Sequence, residues 1–314
     1  MTGLIDPKHI DYPATALPLA SDEILVRRGA TNVVVQKGDL LTGTSTNQIT
    51  LNANAAPGVV AANDALLFMQ KRAGKELIGI KNEYGETYFI EPLPIDRVIY
   101  KWLTGTGTTA AITYGVAWNV TATQSHPALA TTNALTRLRR AVYTTGAAAG
   151  NQSGVRMGSS VHVRGNAANV GGFFFYSKWA VVTFQAAMQI ISGLTASTGA
   201  LSGEPSVLNN SVGACKDSAD TNYQIFSRGA ATTKINTGVA VAANDICELY
   251  MYCPPNAATI DVLFIVNGVT AFNGSLNTNL PGNTTYMGAR FEVRTTVASA
   301  VAGALNTIYT ESRE

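Results

Sequence analysis

The clearest hydrophobic pattern of the chain lies in residues 246–267, ICELYMYCPPNAATIDVLFIVN, where two apolar runs flank a pair of prolines. Within each run the side chains fall into two alternating sets, which is the two-residue period of an extended strand. Proline has no backbone N–H to donate to a ladder, so Pro254 and Pro255 end the first strand and favour a chain reversal. Both faces of these runs are largely apolar. The pattern therefore predicts an antiparallel pair within a sheet that is covered on both sides.

The sequence from Ile95 onward contains many short apolar runs with turn residues about every ten positions, a spacing typical of a β-sandwich or barrel. No segment shows helical periodicity over more than a turn or two, and residues 128–138 are the best candidate for a helix. We therefore expect an all-β protein with a C-terminal β-sandwich of the jelly-roll type. The apolar runs predict strands at residues 97–101, 111–116, 139–144, 161–163, 172–179, 181–191, 225–227, 234–236, 246–253, 260–266, 285–294 and 304–311.

Residues 1–50 have a different pattern, which predicts an extended N-terminal arm followed by a hairpin. Residues 1–20 contain three prolines and few long apolar side chains, so this arm depends on a neighbour for its order. Two short apolar runs then follow at residues 24–26 and 33–35. A hairpin of this size is marginal alone, so we expect it to add to a larger sheet or to a partner.

Residues 51–94 predict a linker and a small β-meander in front of the sandwich, which is assigned to residues 95–314. The Thr-, Asn- and Ala-rich stretch that leads into this region is either a linker or a set of thin strands packed around a symmetry axis. The meander has turn residues at positions 73–75 and 83–86. It is small for an independent core, and oligomerisation is a common remedy at that size.

The composition limits the partners that this chain can recruit by charge. Charged residues make up 13% of the chain, about half of the ~25% usual for soluble domains, so neighbouring subunits are expected to cover part of the surface. The 22 basic and 20 acidic residues nearly cancel, and no strong field exists to attract nucleic acid or an anionic membrane. A basic cluster at residues 137–140 fits a solvated patch better than a phosphate site. We therefore predict no nucleic-acid partner.

The cysteines and the apolar segments bear on the compartment. Cys215, Cys247 and Cys253 are odd in number and have no CxxC spacing, so buried free thiols and assembly in a reducing compartment are expected. The N-terminal sequence lacks the basic and then apolar order of a signal peptide. Residues 179–203 carry no charge, but polar side chains interrupt them too often for a membrane span. We predict no membrane insertion.

An ordered series of short motifs runs through the second half of the chain. The motifs are LRRAVYTTGAAAGNQSGVR (138–156), GGFFFYSKWAV (171–181), ISGLTAS (191–197), LNNSVGACKDSADTNYQIF (208–226), ELYMYCPPNAATIDVLFIVNG (248–268), LNTNLP (276–281) and IYTES (308–312). In these motifs the chain resembles the C-terminal domains of tail-fibre, tailspike and minor tail proteins of tailed bacteriophages, which carry a lectin-like (concanavalin-like) jelly roll. The segment LPLASDEILVRRGATNVVVQKGDLL at residues 17–41 also resembles the collar by which many phage fibres begin their attachment region.

The resemblance implies a virion structural protein that assembles as a homotrimer in the host cytoplasm. Its N-terminal region would join other tail or baseplate proteins, and its sandwich would face outward toward a host-surface polysaccharide. Two alternatives stay open: a purely architectural baseplate, collar or capsid-decorating fibre, and a tailspike that degrades polysaccharide. Low charge and an arm without its own core are what a subunit shows when neighbours complete it.

The acidic residues do not favour an enzyme. A glycosidase needs two carboxylates roughly 5 to 10 Å apart in a groove. Glu248 and Asp261 lie at comparable distances from the proline turn and could approach each other across the predicted hairpin. An outward-facing strand carboxylate is the commoner explanation for each. The chain also lacks a GxSxG motif, and we predict no catalytic residue.

One loop, residues 216–222, is the best candidate for ligand contact. Its Asp217, Asp220 and Asn222 offer oxygen atoms, but the alternating spacing of a calcium loop is absent, so side-chain bonds to the local backbone are the better explanation. Tyr223, which follows this loop, is the ring we would test first, because sugars stack on exposed aromatic rings. The three histidines are scattered, so neither a metal site nor a cofactor is predicted. The other rings considered are Trp102, Trp118, Trp179 and Tyr286, for which packing is the commoner role.

Overall fold

A computed structural model of the chain describes residues 23–28, 31–36, 65–82, 87–89, 97–104 and 112–313. The chain divides into two units, residues 1–54 and 55–314. In the first unit, β1 (Glu23–Arg28) and β2 (Thr31–Gln36) form an antiparallel hairpin, which confirms that prediction. The predicted arm of residues 1–20 lies outside the described residues.

The second unit begins with a three-stranded antiparallel sheet, called here the small sheet. It contains β3 (Ala65–Arg72), β4 (Lys75–Asn82) and β5 (Thr87–Phe89) in chain order, as the meander pattern predicts. Ala73 and Gly74, with φ values of 47° and 75°, form the first turn, and two positive φ values match the right-handed twist of the hairpin. The second predicted turn lies outside the described residues.

Two larger antiparallel sheets form a β-sandwich, which confirms the predicted fold class. Seven strands of the nine-stranded sheet follow one path, which runs β19 (Val269–Leu276), β18 (Ile260–Val266), β17 (Ile246–Cys253), β12 (Phe173–Thr183), β21 (Ala302–Arg313), β10 (Ala141–Thr144) and β9 (Thr123–Ser125). Off this path, β6 (Arg97–Leu103) pairs with β21 and with β7 (Ile112–Tyr114). The seven-stranded sheet runs β16 (Thr232–Ala240), β15 (Asn222–Arg228), β14 (Ser211–Lys216), β13 (Gln189–Thr195), β20 (Gly288–Arg294), β11 (Gln152–Met157) and β8 (Trp118–Thr121). A 3-10 turn, Pro205–Val207, precedes β14.

The core lies between the facing sides of the two large sheets. Phe173 and Phe175 point inward from β12, whereas Phe174 and Tyr176 belong to a separate cluster on the outer side, as alternation along the FFFY run predicts. Trp179 is buried at the centre, where its ring lies 5.7 Å from that of Phe291 on the other sheet. All three cysteines are free and buried, as predicted.

Several predicted boundaries differ from the structure. We predicted separate strands at 172–179 and 181–191, but β12 continues through position 180 to Thr183, and the chain turns at residues 184–188. Residues 128–138 form turns instead of a helix, because the backbone N–H of Asn133 bonds to the Thr136 hydroxyl while the Thr136 N–H bonds to the Asn133 side chain. Among the described residues there is no helix with the length and hydrophobicity needed to cross a membrane.

Candidate functional site

A cleft of about 380 Å³ opens on the outer face of the nine-stranded sheet, where this face meets the small sheet. We call it the tyrosine cleft. Its volume falls within the range of small-molecule sites. It is lined by Leu77, Phe89, Lys101, Leu103, Phe174, Tyr176, Tyr250, Asn306, Thr307, Tyr309 and Glu311.

The strand register builds the floor of this cleft. Tyr176 on β12 pairs with Tyr250 on β17 at one edge and with Tyr309 on β21 at the other. The same row continues to Lys101 on β6 beyond Tyr309 and to Leu263 on β18 beyond Tyr250. Neighbouring strands lie about 4.8 Å apart, so three tyrosines in directly paired positions form one row, in which Tyr250 is buried beneath Arg72 and the other two rings are half-buried. The Tyr176 and Tyr250 ring centres are 4.6 Å apart.

Carboxylates hold the tyrosine hydroxyls in place. Glu248 Oε2 accepts hydrogen bonds from the hydroxyls of Tyr250 at 3.0 Å and Tyr176 at 3.4 Å, and Lys178 Nζ donates to Glu248 Oε1 at 3.0 Å. Burial, followed by the negative charge of Glu248, raises the pKa of Tyr250. Burial, followed by the neighbouring Tyr250 and Glu248, raises the pKa of Tyr176. Both phenols therefore stay protonated and remain hydrogen-bond donors at neutral pH.

The first turn of the small sheet closes one end of the cleft. Lys75 forms an ion pair with the buried Glu311 carboxylate, and its Nζ lies 4.3 Å from the centre of the Phe174 ring. Arg72 lies over the Tyr250 ring at 5.4 Å. A side chain at Gly74 would collide with the Asp261 carboxylate, so the close approach of this turn requires glycine. Cation–ring contacts and a buried ion pair thus dock the small sheet on the sandwich.

The exposed part of the cleft combines flat apolar surface with a few polar groups. Tyr176 and Tyr309 are half-buried, as are Lys101, Asn306 and Thr307 beside them. The Tyr309 hydroxyl donates to Glu311 Oε1 at 2.9 Å, and Lys101 Nζ lies 5.9 Å from the Tyr309 ring centre. Aromatic faces that give area and polar groups that fix orientation are the usual composition of a binding site.

The predicted ligand-contact loop lies at a different place, between β14 and β15 on the seven-stranded sheet. Asp217 accepts hydrogen bonds from the Ser206 N–H at 3.0 Å and the Ser206 hydroxyl at 2.6 Å. Asp220 Oδ2 accepts from the backbone N–H of Asp217 at 2.9 Å, as local side-chain bonding predicts. Asn222 donates to Asn236 Oδ1 at 3.0 Å. These partners belong to the chain itself, so ligand contact by this loop stays a prediction.

A lysine occupies the space between the two aspartates of this loop. Lys234 Nζ lies 2.8 Å from Asp217 Oδ2 and 2.6 Å from Asp220 Oδ2. Burial lowers the pKa of Lys234, but hydrogen bonds to the two carboxylates outweigh it and the net pKa is raised. An ammonium group therefore stands where a cation bound by this pair would lie. Within the described ranges, no group of three or more His, Cys, Asp and Glu side chains is arranged to hold a metal ion.

Tyr223 requires a correction. Its side chain is fully buried, and its hydroxyl donates to Asp245 Oδ2 at 3.0 Å. Its ring packs against Trp179 at 5.8 Å and Phe264 at 5.5 Å. A ring in the core cannot stack on a ligand from solvent, because β15 turns position 223 inward. Of the other rings considered, Tyr286 is 57% exposed and Trp102 is buried.

The expected approach of Glu248 and Asp261 is also wrong. Glu248 pairs with Ile265, and Asp261 pairs with Tyr252, so the carboxylates stand four positions apart along one face. At about 3.3 Å per residue this is roughly 13 Å, beyond the separation that glycosidases use. Asp261 Oδ1 instead accepts from the Ser275 hydroxyl at 2.5 Å.

Sequence reasoning missed the tyrosine row. Tyr250 and Tyr309 are single aromatic residues on strands that are distant in the chain, and their common row with Tyr176 depends on the register of β12 with both neighbours. The available signal was the outward set of positions on the FFFY run and on the ELYMYC run. Without the register, that signal does not show which rings meet.

Comparison with known proteins identifies no family for this chain. No protein-family model matches the sequence, and the comparison with curated proteins found no match. Solved structures to which the chain is similar include a protein of unknown function from Shewanella oneidensis MR-1, with 10% identity, TM-score 0.47 and coverage of 69% of this chain and 87% of that one. Peanut lectin, solved with a nine-residue peptide, has 11% identity, TM-score 0.45 and coverage of 69% and 97%. The CBM2 module of the evolved Dit of Lactobacillus casei BL23 phage J-1 has 13% identity, TM-score 0.41 and coverage of 69% and 97%.

Proposed function

We propose that this protein is a structural protein of a bacteriophage tail whose C-terminal sandwich binds host-surface glycans in the tyrosine cleft. The observation that carries the glycan part is the row of Tyr250, Tyr176 and Tyr309, set by strand register and bordered by polar side chains. A sugar ring has one face of C–H groups and an edge of hydroxyls. The C–H face can stack on the half-buried rings of Tyr176 and Tyr309 while the hydroxyls bond to the polar side chains that border them.

The virion part of the proposal rests on the sequence. The motifs between residues 138 and 312 and the segment at 17–41 resemble tail proteins of phages, and the low charge favours a subunit that is partly covered by its neighbours. We propose a homotrimer in the virion tail whose N-terminal region attaches to other tail or baseplate proteins. Three buried free thiols support assembly in the reducing host cytoplasm.

We propose adhesion without catalysis, cofactor, nucleic acid or membrane insertion. The carboxylates considered as a catalytic pair stand roughly 13 Å apart, and the near balance of basic and acidic residues gives no field for nucleic acid. Glu311, which lines the cleft, and Glu248, which bonds to two of its tyrosines, already accept hydrogen bonds from tyrosine hydroxyls. Their geometry suits them to hold rings in position.

The test compares two tyrosine variants of the full chain on an array of bacterial surface glycans. Tyr309→Leu removes a ring from the cleft, and Tyr286→Leu removes an exposed ring from a loop outside it. An aromatic contact is worth about 0.5 to 1.5 kcal/mol, so we expect Tyr309→Leu to weaken the binding of each captured glycan by up to about tenfold. Tyr286→Leu should bind like the parent.

Two outcomes would contradict this proposal. If the parent chain binds no glycan on the array and labels no host cell, the sandwich has the architectural role that the sequence left open. If both tyrosine variants bind equally well, the glycan site lies elsewhere, and the Asp217 and Asp220 loop becomes the next place to test. Release of reducing ends from a bound polysaccharide would instead identify an enzyme.

A further inference from the structure

The tyrosine cleft has an apolar side that a fully hydroxylated sugar would not use. Leu77 comes from β4, Phe89 from β5 and Leu103 from β6, and all three side chains are partly exposed where they line the cleft. Leu103 lies beside Thr307 across the β6–β21 pair. Three separate elements therefore contribute hydrocarbon to a lining that also carries the polar side chains of Lys101, Asn306 and Thr307, and we call Leu77, Phe89 and Leu103 the apolar side.

Sugar chemistry decides what fits such a side. A hydroxyl placed against leucine loses its water partners and gains none, which weakens binding. A methyl group at the same place is removed from water without that loss. The apolar side therefore selects a sugar that carries a methyl-bearing substituent in addition to its hydroxyls.

The side chain of Asn306 limits further which methyl-bearing substituents would fit the cleft. Asn306 Nδ2 donates to the backbone carbonyl of Arg139 at 2.6 Å, which fixes the orientation of the side-chain amide. Asn306 also lines the cleft, and an amide oxygen is an acceptor that suits a ligand N–H. An acetamido group offers both features together, an N–H donor and a methyl group two bonds beyond it.

We propose that the tyrosine cleft is specific for glycans that contain N-acetylated hexosamines. The sugar ring stacks on the tyrosine row, the acetamido N–H bonds to Asn306, and the acetamido methyl packs against Leu77 and Leu103. This inference rests on the proposed glycan binding and adds the class of sugar. Leu77 and Leu103 are specificity-determining residues in this arrangement.

The test is titration calorimetry of the full chain with two matched trisaccharides. The β1,4-linked trimer of N-acetylglucosamine and the β1,4-linked trimer of glucose share linkage and ring configuration and differ at carbon 2. One extra apolar group in a hydrophobic pocket is worth about 10- to 200-fold. We expect the acetylated trimer to bind at least about tenfold more tightly.

Three variants test which residues are responsible for the difference in affinity between the two trimers. Leu103→Thr and Leu77→Thr keep strand-compatible side chains but put a hydroxyl on the apolar side, and each should reduce the ratio of the two affinities by about tenfold. Val269→Thr is the matched control, because Val269 is 70% exposed on the distant strand β19. It should leave the ratio unchanged. Circular dichroism of each variant checks that the sandwich is intact.

The outcomes separate this inference from the function on which it rests. Equal binding of both trimers, or a ratio unchanged in both leucine variants, overturns the specificity and leaves glycan binding in place. Binding of neither trimer, together with an empty glycan array, overturns both. If sedimentation shows that Leu103→Thr dissociates an oligomer while no sugar binds, a second copy of the chain occupies the cleft, and both proposals are wrong.

Discussion

On both large sheets every second side chain of a strand points outward, but the outward residues of the two sheets are of different types. On the nine-stranded sheet the outward positions carry a row of tyrosines that lines a cleft. On the seven-stranded sheet they carry Arg156, Arg290 and Glu292, and the Glu292 carboxylate is fully buried. The first face presents rings for contact, whereas the second has been closed by the chain itself.

The difference comes from the segment that lies over each face. Residues 196–204 cross the seven-stranded sheet and supply carbonyl oxygens to the arginines: Arg156 Nε donates to Thr198 at 2.8 Å, and Arg290 Nη2 donates to Gly199 at 3.0 Å. Leu201 is buried in this segment against Ile191 of the sheet. The turn of the small sheet covers only part of the nine-stranded face. The seven-stranded face is closed by backbone acceptors around its charges, whereas the nine-stranded face is partly open at its tyrosines and has its buried ion pair, Lys75–Glu311, under the turn of the small sheet.

The largest expected loss of stability comes from removing the buried carboxylate on the outer face of the seven-stranded sheet. Glu292 accepts hydrogen bonds from Arg290 at 2.9 Å and Arg156 at 3.2 Å, so Glu292→Ala leaves a buried guanidinium without its counter-charge. Removing one partner from a buried pair costs about 3 to 5 kcal/mol in the free energy of unfolding. Urea denaturation measures this loss. The matched control, Glu76→Ala, removes one partner of the exposed Lys71–Glu76 pair and should cost less than about 1 kcal/mol. Similar losses in the two variants would contradict the comparison.

A second large effect is expected at low pH, where a histidine in the core between the two sheets should lower the free energy of unfolding. His162 is fully buried beside Tyr100 and Phe173, and neither of its ring nitrogens has a hydrogen-bond partner in the part of the chain that the structure describes. Burial lowers the pKa of His162 to about 3. The unfolded chain, with a histidine pKa of about 6.5, binds this proton more readily, so stability falls as the pH drops from about 6.5 toward 3.

The size of the acid effect follows from the two pKa values. At pH 4.5 the unfolding free energy should be about 2 to 3 kcal/mol lower than at pH 7 through His162 alone. His162→Leu should remove that part of the loss, and urea midpoints at the two pH values measure it. His126→Gln is the control, because burial also lowers the pKa of that histidine but its side chain is only half-buried. An unchanged acid response in His162→Leu would show that carboxylates on the outer faces dominate instead.

The smallest expected change in unfolding free energy comes from a substitution on the outer face of the nine-stranded sheet. Glu248 and Lys178 are each about a quarter exposed, so Glu248→Gln should lower the unfolding free energy by less than about 1 kcal/mol. The amide oxygen can still accept from one tyrosine hydroxyl but carries no charge to hold both hydroxyls and Lys178. We therefore expect near-parental stability with weaker glycan binding. A loss as large as that of Glu292→Ala would mean that the two faces are equally closed.

The sequence predicted the fold where apolar side chains alternate over several residues. Strands β17 and β18 were predicted with the bounds that the structure shows, because long side chains occupy alternate positions on both sides of the proline turn. Strands β14 and β19, SVGACK and VTAFNGSL, were missed. Their small and polar residues give little alternation, and they form strands because neighbouring strands satisfy their backbone groups.

The site was harder to predict than the fold because it depends on which strands become neighbours. The Asp217 loop is rich in oxygen atoms, and that composition is visible in the sequence. Its engagement by Lys234 is not visible, because the lysine comes from a different strand. Tyr223 follows a polar loop and looks exposed, but strand alternation turns it into the core. Local composition shows which groups are present, whereas register and topology decide which of them meet.

The position of β21 means that the nine-stranded sheet can be completed only late in synthesis. This strand pairs with β12 along one edge and with β10 and β6 along the other, so it joins two halves of the nine-stranded sheet. Synthesis supplies every strand of the seven-stranded sheet by residue 294, but the strand that carries Tyr309 emerges later. During that interval the nascent chain holds two unjoined sheet fragments with open edges, which are prone to wrong pairing. The cleft comes into being only when the final strand is inserted between them.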